Sequence, residues 1–101
     1  MKDGGSMLIK SYRKKPQWRV VNHLSTVLAL EFTGKNFDEI EAFCGDNCNI
    51  VLDDTGKKNL IIKAVEGDLS VKAGDMIIRG NKGEYYPCRI DIFKETYEEA
   101  N

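Results

Sequence analysis

Three glycines, two acids and two lysines fall close together in "VKAGDMIIRGNKGEYYPC", residues 71–88, and a glycine-rich stretch followed by lysine can cradle a phosphate. That chemistry needs the spacing G-x-x-x-x-G-K-[ST], which makes backbone N–H groups converge on the anion. Here Gly74 and Gly80 are separated by five residues, Lys82 lies two beyond, and Met76, Ile77 and Ile78 fill the interval. A buried strand suits that interval better, with the glycines as its corners. Asp68 and Asp75 each follow a glycine, seven residues apart. A carboxylate pair can serve acid–base work or hold a cation, but acids after turn glycines commonly accept local backbone hydrogen bonds. Both are read as structural.

Cys44, Cys48, Cys88 and His23 could make a Cys3His metal set, yet C-x3-C is a looser pairing than structural zinc sites use on both halves. Cys44 falls on an apolar helix face and is expected to act as a small hydrophobe, so no metal is assigned. His23 is the sole histidine and has Ser6, Ser11, Ser25, Ser70 and the cysteines as nucleophile candidates, without a local signature for any of them. No catalytic residue and no cofactor is assigned. In "KSYRKKPQWR", Arg13, Lys14, Lys15 and Arg19 lie with Trp18, a mixture that can follow and stack on single-stranded nucleic acid. The same mixture describes an edge strand whose lysines deter aggregation. Arg13, Lys14, Lys15, Trp18 and Arg19 are therefore candidate binding residues, as are Glu84, Tyr85 and Tyr86 of the aromatic hairpin, since aromatics and arginines dominate contact hot spots.

The elements that must position these residues are short. A chain of 101 residues with 42% hydrophobic and 31% charged residues supports one modest core. Fifteen basic against sixteen acidic side chains leave no global field toward nucleic acid or an anionic membrane. No apolar run approaches the roughly 20 residues that a spanning helix needs. Residues 1–7, "MKDGGSM", read as a flexible leader or an expression remnant, and residues 8–101 as a single domain. Three cysteines cannot all pair within one chain, and cytoplasmic thiols are expected.

The text from Leu8 to Pro16 reads as an edge strand, 18–22 as a second short strand, and "TVLALEF", 26–32, as a buried central one. "NFDEIEAFCG" predicts a helix over 36–44: Asn36 as N-cap with Glu39 completing a capping box, Phe37, Ile40, Phe43 and Cys44 on one face, and Gly45 as terminator. Apolar stretches then alternate with Glu66-Gly67, Ala73-Gly74 and Asn81-Lys82-Gly83, the pattern of an antiparallel meander. "DIFKETYEEA" predicts a second helix over 91–99, capped by Asp91, with Phe93, Tyr97 and Ala100 at helical spacing. The sum is an α+β fold of six to seven short strands, mostly antiparallel, with two short helices, and closure into a small barrel left open. A small sheet with open edges also leans toward homo-oligomerisation.

"GDMIIRGNKGEYYPCRIDIFKETYE" resembles the C-terminal signature of a family of small bacteriophage and prophage proteins, the PGDYG-like group. "YRKKP", "ALEFTG" and "NFDEIEAFCG" resemble that family's opening strand, second strand and helix. This chain has a longer "QWRVVNHLSTVL" segment, and Ala73 stands where the signature has proline. The resemblance implies phage or prophage origin and residence in the bacterial cytoplasm, with no catalytic assignment to carry over. A non-enzymatic accessory protein is expected, one that counters host defence by binding a host protein or sequestering a small signalling nucleotide. The alternatives are a nucleic-acid-binding module that uses the basic N-terminal strand, and a small enzyme.

Overall fold

A computed structural model describes residues 9–14 and 26–99. The elements in chain order are β1 (Lys10–Lys14), β2 (Thr26–Glu31), α1 (Phe37–Cys44) running into a 3-10 turn (Gly45–Asn47), β3 (Cys48–Leu52), β4 (Lys58–Ala64), β5 (Gly67–Val71), β6 (Met76–Arg79), β7 (Tyr85–Cys88), α2 (Ile90–Thr96) and β8 (Tyr97–Glu99). The fold is α+β with every strand pair antiparallel. The strands form two sheets, ordered β7-β6-β2-β1-β8 and β3-β4-β5, and neither closes into a barrel. The anticipated meander is thus divided: β6 leaves β5 and pairs with β2, because Ile77 and Ile78 are both fully buried and a strand apolar on both faces belongs inside a sheet.

Alternation along β2 explains the layering. Leu28 and Leu30 face one side with Ile77 and Tyr85, against Ile40, Phe43 and Cys44 of α1 and against Cys48, Leu60, Ile62 and Val71 of the smaller sheet. Val27 and Ala29 face the other side with Met76, Ile78, Tyr86 and Cys88, beneath Phe93 and Ile90 of α2. The larger sheet is therefore covered on both faces. As anticipated, β2 is its middle strand.

Helix α1 starts after Asn36, but Asn36 makes no side-chain cap to it. Instead its Oδ1 accepts from the Thr33 N–H and hydroxyl (2.8 and 3.1 Å), and its Nδ2 donates to the Glu31 carbonyl and to Glu39 Oε1 (2.8 and 3.2 Å). The asparagine fastens the β2–α1 corner, and Glu39 braces the asparagine. At that corner Gly34 has φ +93°, and an added Cβ would lie 3.1 Å from the Ala73 Cβ, so Gly34 answers both a backbone and a packing demand. Gly45 ends the helix at φ 58°, its N–H bonded to the Glu41 carbonyl.

The second helix is shorter than its periodicity predicts. It runs over Ile90–Thr96 from Arg89 rather than Asp91, and Tyr97–Glu99 turns into β8, paired with β1. Tertiary pairing overrides local helix preference here, because the β1 edge offers both backbone partners and opposite charges. Arg13 meets Glu98 at 2.8 Å, and Lys10 meets Glu99 at 3.1 Å. Strand β1 is therefore interior, between β2 and β8, not an edge. The helix crosses the sheet from one edge, β7, to the other, β8. Its Phe93, 3% exposed, stacks on Tyr97 at 5.1 Å and meets Tyr12 edge-on at 4.8 Å. Phe93→Ala is expected to cost about 3–5 kcal/mol, read by urea denaturation, whereas Ile92→Ala on the exposed side of the same helix should cost less than about 1 kcal/mol.

Candidate functional site

The residues singled out from the sequence do not converge. Lys15, Trp18, Arg19 and His23 lie outside the described residues, as do 1–7 and the strand anticipated over 18–22, and of Lys14 only the backbone is described. Arg13 spends its guanidinium on Glu98, which removes one of the free positive charges expected of its strand. Tyr85 and Tyr86 project from opposite faces of β7. The Tyr85 hydroxyl donates to the Phe43 carbonyl at 2.9 Å, and its ring stands edge-on to Phe43 at 5.5 Å. Tyr86 packs beneath α2, where burial first, and then a hydrogen bond with Tyr97, push its phenol pKa up. Glu84 is exposed, accepts from the Lys82 N–H at 3.0 Å and lies over Gly80, where any Cβ would collide with its carboxylate. The glycines of 71–88 are corners: Gly74 and Gly83 take positive φ, and Asp75 accepts from the Lys72 N–H at 3.0 Å.

Cys44 and Cys48 are buried thiols. Burial, with the neighbouring Cys48, pushes Cys44 up to about 12, and burial also raises Cys48. Cys88 is raised as well, by burial and then by Asp75 and Asp91. Such thiols are poor nucleophiles and poor metal ligands, since both tasks need the thiolate. Among the described residues no group of three or more His, Cys, Asp or Glu is placed to hold a metal. Asp53 goes the other way, to about 2, because its carboxylate accepts from the Thr55 hydroxyl (2.6 Å), the Lys57 N–H (3.0 Å) and the Thr55 N–H (2.8 Å); it organises the β3–β4 loop.

What the topology does assemble is an open groove of about 460 Å³ between the β1–β2 strand ends and the underside of α2. Tyr12, Met76, Ile90 and Phe93 give it an apolar floor, and Glu31, Glu39 and Glu99 set three carboxylates on its walls against the ammonium groups of Lys10 and Lys94, while the Glu98 carboxylate is held by Arg13. Lys10 is already paired with Glu99, and Glu39 is held by Asn36. Burial, and then the charge of Glu99, raise the Tyr12 phenol pKa, so the floor stays neutral. An aromatic floor beneath an acidic rim suits a flat or aliphatic group bearing positive charge. The sequence offered only a weak sign of this: acids at 98 and 99 that complement bases at 10 and 13.

Compared with known protein families, curated proteins and solved structures, the chain matches none. Among the described residues no helix is long and apolar enough to cross a membrane.

The thiol geometry predicts that Cys44 resists a disulfide reagent at pH 8 in the folded protein and reacts on unfolding, while Cys88, half-buried, reacts first. A folded-state pKa raised from 9 to about 12 leaves its contribution to stability intact below pH 9 and removes it as the pH climbs toward 12. Urea midpoints should therefore fall over that alkaline window, and less steeply in Cys44→Ala.

Proposed function

We propose that this chain is a non-enzymatic accessory protein of a phage or prophage that acts in the bacterial cytoplasm by binding a host protein. The signature "GDMIIRGNKGEYYPC" supports the origin, through its resemblance to small phage proteins. The observation that carries the binding mode is the groove beneath α2, apolar in its floor and acidic at its rim. Of the two partner classes anticipated, a protein and a small nucleotide, the rim favours the protein. With Lys10 and Glu99 paired to each other and Glu98 held by Arg13, a nucleotide phosphate would meet the carboxylates of Glu31 and Glu39 against the ammonium group of Lys94. An arginine or lysine side chain flanked by apolar residues would instead lay its stem on Tyr12 and Phe93 and its charge against Glu31. Counter-defence is the biological setting that fits a small phage protein with such a surface. The nucleic-acid alternative draws on Arg13, Lys14, Lys15, Trp18 and Arg19; Arg13 is neutralised by Glu98, and the side chains of the other four lie outside the described residues.

An NMR titration separates these ligand classes. Benzamidine, an aromatic cation, is expected to shift the amides of Tyr12, Glu31 and Phe93, and adenosine monophosphate to leave them in place. The reverse pattern would remove the reading. In a bacterial lysate, wild-type bait should retain a partner that Glu31→Lys loses and that Asp46→Lys, outside the groove, keeps; equal capture by all three would also count against it.

A further inference from the structure

The sheet edges in this fold are not equally protected. On β7, Pro87 has no N–H to offer, and β8 carries Glu98 and Glu99. Strand β3 is flanked by Asp46 and Asp53-Asp54, so a second β3 laid antiparallel about Ile50 would bring Asp46 against Asp54. Strand β5 has no proline and a single acid, Asp68. Among the described residues β4 is its sole hydrogen-bonded neighbour, and Gly67, Asp68, Leu69 and Ser70 are all exposed. Two large apolar side chains are exposed here, Leu69 on the strand at 38% and Val65 at the hairpin tip at 97%.

We propose that β5 is a self-association edge, which pairs antiparallel with β5 of a second copy about a two-fold axis at Leu69. The register follows from the hairpin. Ala64 and Gly67 close the two-residue turn Val65-Glu66, so Gly67, Leu69 and Val71 bond inward to β4 while the backbones of Asp68 and Ser70 point outward. A two-fold at Leu69 sets Asp68 against Ser70 of the second copy, where they exchange both backbone hydrogen bonds, and the symmetry repeats the exchange. It brings the two Leu69 side chains together in a close, non-hydrogen-bonded pair. It also sets Glu66 of each copy against Lys72 of the other, so the flanking charges are opposite at both ends. A shift that centres the axis on Asp68 would oppose two aspartates. The interface is isologous and closed, which limits it to a dimer. It lies on the smaller sheet and leaves the groove beneath α2 free.

Sedimentation velocity from about 1 µM to about 1 mM spans the affinities expected of a small interface. The wild-type protein should move from monomer to dimer across that range. Glu66→Lys and Lys72→Glu, each placing like charges together, should shift the midpoint at least about tenfold toward monomer, a change of about 1.4 kcal/mol. The double variant, with the charges exchanged, should restore it. Ser70→Pro removes an outward N–H that β4 does not use, and should abolish the dimer with the circular dichroism spectrum unchanged. A wild-type chain that stays monomeric at about 1 mM, a single charge reversal without effect, or a double variant no better than the singles would each overturn the proposal.

Discussion

The rest of the structure depends on the two-sided burial of β2 and β6. Ala29, Leu30, Ile77 and Ile78 are all 0–1% exposed although neighbours in sequence point to opposite faces of the sheet. A sheet that is apolar on both sides needs a cover on each. The segment between β2 and β6 supplies one, as α1 and the β3-β4-β5 sheet. Among the described residues, the short α2 after β7 supplies the other. At seven residues it is about 10 Å long, so it cannot cover the far face and stay at the edge where it starts. It crosses, and the crossing delivers Tyr97–Glu99 to the far edge beside β1.

The crossing explains the electrostatics of the candidate site. Because β8 lands on β1, the acids at 98 and 99 meet the bases at 13 and 10, and both of those bases are neutralised. These ion pairs are half-exposed and each contributes little to stability, about 0–1 kcal/mol, so their role lies in register and in the charge of the surface. The aromatic trio Tyr12, Phe93 and Tyr97 carries the packing at the same place, and the groove opens where α2 leaves the strand ends uncovered.

Local signals were legible in the sequence. The central strand, the helix at Phe37–Cys44, the turn glycines and the strand between Gly74 and Gly80 each rest on a few adjacent residues, and the structure has them. Long-range pairing was not legible. Nothing within "DIFKETYEEA" says that Tyr97 leaves the helix, because the reason lies 85 residues away at Tyr12–Lys14. The same holds for Asn36, whose residue type suits a helix cap but whose side chain is claimed by Thr33 and Glu31. The groove was illegible for a related reason: its floor and rim come from β1, β2, α1, β6, α2 and β8, and no short stretch contains more than part of it.

The architecture depends on the passage from α2 into β8 and the pairing of β8 with β1. Nuclear Overhauser spectroscopy on the isotope-labelled protein reads this directly. Cross-strand contacts between the backbones of Arg13 and Glu98 and of Tyr12 and Glu99, with extended-chain couplings over Tyr97–Glu99, are the predicted result. Continuous helical contacts between residues three apart from Phe93 through Glu99, without any contact to β1, would contradict it.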